Sequence, residues 1–233
     1  MRVKLFSLTF VFGLLAAFTI NGLNSAHAGY NEESKVESAI EVLNEIMKIP
    51  EESVPPALFR KAYGVAVIPG VLKAGFVVGG KGGRGILTVR DEDNNWTNPS
   101  FIIIGGGSIG LQIGAQSSDV ILVFKSKKSV DGIIRGKFTL GADAAVAAGP
   151  VGRQAGAGTD IQFKAEIYSY SRSRGAFAGV SLDGATLQID NEWNHGFYND
   201  TSITADKIFT DKSIKAPAVA SKFIKTLSQH SSQ

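Results

Sequence analysis

A chain of 233 residues, 44% hydrophobic and 19% charged, can bury a sizeable core and falls outside the disordered class. The absence of cysteine excludes disulfides, thiolate metal sites and a cysteine nucleophile. Residues 1–28 hold two of the 24 basic residues and no acidic one, so the rest carries 22 basic against 21 acidic residues, and overall charge is weak evidence for any anionic partner, nucleic acid included; only local clustering can supply that.

The N-terminus reads as a secretory signal. Arg2 and Lys4 form a basic n-region, Leu5 to Ile20 an apolar stretch, and Ala26-His27-Ala28 an A-x-A cleavage site before Gly29. A retained anchor helix is the other reading; Asn21, Asn24 and the small residues after them favour cleavage. The expected organisation is therefore a leader at 1–28, one domain at 29–228 and a frayed tail at 229–233, with the domain periplasmic or secreted and peripheral to a membrane.

Val36, Ala39, Ile40, Leu43, Ile46 and Met47 recur at helical spacing through 33–48, with Glu33, Glu37, Glu41 and Glu45 on another face. Pro55-Pro56 opens a short second helix over about 57–63. Strands are then predicted at 65–68, 74–79, 85–90, 101–104, 109–116 and 120–124, with the acidic run Asp91–Asn95 as a hairpin loop. Residues 101–118 carry no charge, yet five glycines at 105, 106, 107, 110 and 114 argue against a membrane helix, each costing about 1 kcal/mol against alanine. A basic segment follows, Lys125, Lys127, Lys128, Arg135 and Lys137, around a short helix at 130–134, and then a small-residue strand over 139–149.

From Phe163 to Arg174 the residues sort at period two. Lys164, Glu166, Tyr168, Tyr170, Arg172 and Arg174 form the face read as outward. Asp183-Gly184 then reads as a type I′ turn pairing Leu182 with Ala185, Val180 with Leu187 and Ala178 with Ile189. Helices over 201–209 and 218–227 close the chain. The fold predicted is α+β, with about eight to ten mainly antiparallel strands in a strongly twisted or barrel-like sheet and helices from both ends packed on it.

Residues 75–82 come close to a phosphate loop, but Gly82 stands where Ser or Thr would hold magnesium, and a strand follows. The G-x-G-x-x-G spacings at 80–85 and 105–110 open no helix, so no nucleotide is expected. His195 has no G-x-S-x-G partner and reads as a loop residue; Asp143, Asp160, Asp183 and Asp190 read as turn formers or arginine partners. No metal motif is present, and no cofactor or catalytic residue is expected.

Several runs together resemble the SYLF family, also called the Ysc84 actin-binding domain family. They are GVAVIP at 64–69, KAGF at 73–76, GGGSIGLQIGAQ at 105–116, FTLG at 138–141, AGPVGR at 148–153, SYSRSRG at 169–175 and GVSLDG at 179–184. The resemblance covers roughly 36–209. It implies a binding domain without catalytic triad or cofactor. Eukaryotic relatives carry the domain beside SH3 or FYVE modules and bind phosphoinositide membranes, fungal ones bind actin, and bacterial ones are often exported stand-alone lipid binders. The expected partner is thus anionic phospholipid or a membrane surface, with another envelope protein as the alternative. Arg153, Arg172 and Arg174 are the first candidates for phosphate contact, since a guanidinium matches phosphate in bidentate fashion; pairing with Asp143 or Asp160 is the competing role. Tyr168 and Tyr170 beside them suit a membrane interface.

Overall fold

The computed structural model describes residues 24–48, 53–150, 165–173, 176–179 and 182–231, with side chains described for most of them. The expectations for 1–23, Asp160, Arg153 and Arg174 lie outside those residues. The architecture is α+β: a mostly antiparallel sheet curled into a half-barrel, with helices from both ends of the chain packed on it.

The first helix, α1 (Asn24–Lys48), starts earlier than the periodicity suggests and runs through the expected cleavage point. Val36, Ala39, Ile40, Leu43 and Ile46 are buried, and Glu33, Glu37 and Glu41 are exposed, as the 3.6-residue spacing requires. α2 (Pro56–Arg60) follows, with proline in its first turn. No helix among the described residues is long and apolar enough to cross a membrane.

Where six separate strands are expected, the chain makes two very long ones, β1 (Gly64–Val89) and β2 (Ser100–Phe124). They pair antiparallel from Gly64 opposite Phe124 to Leu87 opposite Ser100, closed by the acidic loop, where Asn94 takes a positive φ of 63°. The glycines that look like strand ends sit inside the ladder and let it bend. A Cβ on Gly85 would lie 2.3 Å from the carbonyl oxygen of Val67, so β1 folds back on itself there and only glycine fits. The near-phosphate-loop and both G-x-G-x-x-G runs lie within these strands, which leaves no helix N-terminus to cradle a phosphate.

Five short strands extend the sheet: β3 (Phe138–Thr139), β4 (Val146–Ala148), β5 (Ile167–Ser173), β6 (Ala176–Gly179) and β7 (Thr186–Ile189). α3 (Lys127–Ile134) lies between β2 and β3. The single strand expected at 139–149 is two pieces around a turn at residues 141–143, where Asp143 accepts from the Thr139 N–H. β4 pairs β5 in parallel; every other pair of strands is antiparallel.

The expected hairpin across Asp183-Gly184 needs correcting. The turn forms, with Gly184 at φ 75° and the Ala185 N–H donating to the Leu182 carbonyl at 3.0 Å. The strands it joins do not pair with each other. β6 pairs β5, while β7 fills the gap between β2 and β3, so Leu187 lies opposite Ile104 on one side and Phe138 on the other. A β6–β7 hairpin would leave the β2 edge at Ile102–Gly105 without a partner.

Helices close the chain: α4 (Asn191–Tyr198), α5 (Ala205–Thr210) and α6 (Ala218–Ser231). α4 takes in His195, expected in a loop; Asp190 caps it by accepting from the Trp193 N–H at 3.2 Å. α6 runs through residues 229–231, expected to fray, because Ser231 is buried and His230 lies 3.3 Å from the Asn44 side chain on α1. Phe101 of β2 meets Trp193 and Phe197 of α4 edge-on at 5.5 and 5.2 Å, which fastens this end to the sheet.

Candidate functional site

The row expected to face outward on β5 is largely internal. Ile167, Tyr168, Ser169 and Tyr170 are all buried, because β5 lies between β2 on one edge and β4 and β6 on the other and is covered on both faces. The Tyr170 hydroxyl donates to the Pro150 carbonyl at 3.0 Å, and burial, then Tyr168, pushes its pKa up. The Tyr168 hydroxyl accepts from the Ala165 N–H at 3.2 Å. Over 167–170 both alternate sides of the strand are buried, and Ser171 and Arg172 are half-buried.

Arg172 is held by carboxylates other than the two expected. Its Nε and Nη2 reach Asp119 Oδ2 at 3.0 and 2.8 Å, and Nη1 reaches Glu45 Oε2 on α1 at 3.2 Å. Asp119 Oδ1 also accepts from the Gly70 N–H at 3.0 Å, beside the irregularity in the β1 ladder. A groove of about 300 Å³ opens here between α1 and the sheet, lined by Lys35, Ser38, Glu41, Gly70, Asp119 and Arg172. Burial holds the Lys35 ammonium below its usual range, with Arg84 adding to the effect and Asp119 opposing it. In this groove Arg172 is paired with Asp119, and the Lys35 ammonium donates to the Pro69 carbonyl at 3.5 Å.

The basic segment behaves differently. Ser126 caps α3, its Oγ accepting from the Ser129 N–H, and the Ser129 hydroxyl donates to Glu166 at 3.0 Å. Ser129, Val130 and Ile133 are buried and Ile134 packs on the core, which leaves Lys127 and Lys128 as the exposed residues of α3. Lys127, Lys128, Arg135 and Lys137 are all exposed on this helix and its C-terminal flank, with Lys125 half-buried before it and Asp131 the acidic residue among them. Of the residues singled out in the sequence, these form the group the fold gathers on its surface.

A second cluster forms around Asp190, which the sequence offers as a turn former or arginine partner. Arg84 Nε donates to Asp190 Oδ2 at 2.8 Å, and its guanidinium lies 4.7 Å from the Trp193 ring centroid. Glu32 of α1 is buried nearby, with Oε2 lacking a partner; burial, with Asp190 and Glu192 adding, holds its carboxyl above the usual 4.5. Asp190 is thus an arginine partner, as its sequence reading allows; which arginine it meets, and that it caps α4 three residues before Trp193, only the fold shows. Among the described residues no group of three or more potential ligands could hold a metal ion.

The fold is an α+β half-barrel with helices from both ends of the chain, and comparison with known proteins shows which class it belongs to. The Ysc84 family, described as "Las17-binding protein actin regulator", matches residues 105–230. An SH3 domain-containing protein of Schizosaccharomyces pombe is 37% identical over 180 residues, covering 76% of this chain and 41% of that protein. The SH3 domain-containing YSC84-like protein 1 of Xenopus laevis is 37% identical over 184 residues, covering 76% and 55%. Protein YSC84 of Saccharomyces cerevisiae is 32% identical over 203 residues, covering 84% and 43%. The chain belongs to the Ysc84, or SYLF, family. It spans about half the length of the curated relatives it matches.

Proposed function

We propose that this chain is a non-catalytic binding domain that is exported, loses residues 1–28, and docks on anionic phospholipid at the periplasmic face of an envelope membrane. The observation that carries the reading is the exposure of Lys127, Lys128, Arg135 and Lys137 together around α3. With Lys125 they make five cations against Asp131, a net of four. At about 1 kcal/mol per cation near an anionic leaflet this gives roughly 4 kcal/mol, or near-millimolar binding. A second contact must therefore contribute. Arg153 and Arg174 remain candidates for it, whereas the ion pairs of Arg172 and the burial of Tyr168 and Tyr170 argue for structural roles.

Flotation with anionic and with zwitterionic vesicles tests the reading: the chain, purified as the exporting cell processes it, should rise with the anionic ones alone. Intact mass should place its N-terminus at Gly29. A protein-interaction module is the second reading, favoured by the family's description as Las17-binding. Equal recovery with both vesicle types, or with neither, would favour it.

A further inference from the structure

The long strands leave the body of the sheet midway. β2 has β7 beside it as far as Gly105 and β5 beside it from Asp119 onward. Over residues 106–118 the one strand paired with it, among the described residues, is β1, and β1 pairs no other described strand along its length. The result is a two-stranded ribbon in which Leu72 lies opposite Ser117 and Lys81 opposite Gly106. Both of its ends are clamped. The Thr186 hydroxyl donates to the Gly105 carbonyl at 3.0 Å, and Asp119 is bound to Arg172 and to the Gly70 N–H at the other end.

Its composition suits neither a core nor an ordinary water-facing strand. Residues 105–118 carry Ile109, Leu111 and Ile113 and no charge; residues 70–83 carry Val71, Leu72, Phe76, Val77 and Val78, with Lys73 and Lys81 as their charges. Leu72 is 58% exposed and is the large hydrophobic residue left open among those described. Lys73 and Lys81 are close enough for their like charges to interact. Burial, then Lys73, holds the Lys81 ammonium below its usual range, with Asp183 of the neighbouring turn opposing. An anion beside the two lysines would relieve that repulsion. The ribbon also starts close to the basic helix in the sheet: Thr139, just after Lys137, pairs with Thr186, which pairs with Gly105.

We propose that the β1–β2 ribbon, residues 72–81 with 106–117, enters the headgroup region and upper acyl layer of an anionic membrane, with Lys73 and Lys81 at its rim against lipid phosphates. The inference rests on the lipid-binding reading and supplies the second contact that charge alone leaves missing. An open two-stranded ribbon cannot span hydrocarbon, because its outer main-chain groups would lose water; a shallow position keeps them wet. Lysine stems can lie along the apolar zone while the ammonium groups stay among headgroups. The β1 edge, which no other described strand pairs, could instead take a strand from a second copy, but lysines on an edge disfavour such pairing.

The chain has no cysteine, so Leu72→Cys offers a single site for an environment-sensitive fluorophore, and Ser221→Cys, at an exposed position of α6, a reference site. With phosphatidylglycerol-containing vesicles, the label at 72 should shift to the blue, brighten at least twofold and be quenched by nitroxide lipids, while the label at 221 stays unchanged. Leu72→Asp should keep the parent melting temperature and bind these vesicles at least tenfold more weakly. Flotation that persists while the label at 72 remains in water overturns the ribbon and leaves the lipid-binding reading standing. No flotation with anionic vesicles overturns both. A blue shift without vesicles, growing with protein concentration alongside the sedimentation coefficient, assigns the ribbon to a second copy and overturns the proposal.

Discussion

Arg172 and Asp119 lie opposite each other on β5 and β2, and the arginine sends both Nε and Nη2 to one oxygen of the aspartate, at 3.0 and 2.8 Å. The other aspartate oxygen holds the Gly70 N–H, and Nη1 of the arginine reaches Glu45. This one pair thus joins β5, β2, the irregular point of β1 and the first helix. Cross-strand ion pairs in the open contribute little, but here the side chains are 24% and 19% exposed and share further hydrogen bonds.

Arg172→Ala should therefore destabilise the fold by about 1–3 kcal/mol, since it leaves a largely covered carboxylate with one partner fewer. Urea unfolding followed by circular dichroism measures the loss. A midpoint equal to the parent's would show that the pair is incidental.

Asn194 is a stronger case because it is fully buried. Its Oδ1 accepts from the Phe101 N–H at 2.8 Å and its Nδ2 donates to the Ser100 hydroxyl at 3.0 Å, fixing α4 against the start of β2. Asn194→Ala should cost about 2–4 kcal/mol through the stranded main-chain donor and the lost packing. The same unfolding measurement checks it, and a loss under 1 kcal/mol, within the usual range of surface changes, would contradict the role.

How much of this was legible in the sequence differs from element to element. α1 declared itself because Val36, Leu43 and Ile46 recur on one face with glutamates opposite, a local pattern that packing only confirmed. The α+β class followed from helices at the ends and alternating runs between. The placing of β7 was not legible. Leu187 and Ile189 suit a hairpin partner as well as they suit Ile104 and Ile102, and only the empty edge of β2 decides. Tyr168 and Tyr170 misled for a related reason: alternation marks two faces, and which faces are wet depends on strands far away in sequence. The basic helix was legible because α3 needs only a cap at Ser126 and two buried apolar residues to turn its lysines outward.

Glu32 gives a pH dependence of definite sign. Its carboxyl is raised in the folded chain by burial, with Asp190 and Glu192 adding, so its contribution to stability is fully present below 4.5 and is lost as pH rises through the folded value. Glu32→Gln removes the charged form. The variant should melt higher than the parent at pH 7, with the difference shrinking as the pH falls toward 4.5. Melting curves across that range check it; a variant that melts lower at pH 7 would mean that the carboxyl's main-chain hydrogen bond, with Arg84, outweighs burial at this position.

Lipid docking rests on the basic surface around α3, and the most direct measurement is vesicle affinity of Lys127→Gln/Lys128→Gln/Arg135→Gln/Lys137→Gln beside the parent, from low to physiological salt. All four side chains are exposed, so the melting temperature should hold. The parent should bind anionic vesicles with an affinity that falls as salt rises. The variant should bind more than tenfold more weakly at low salt, in line with about 1 kcal/mol per cation removed. Equal affinities for the two proteins, or parent binding indifferent to salt and to lipid charge, would contradict the account.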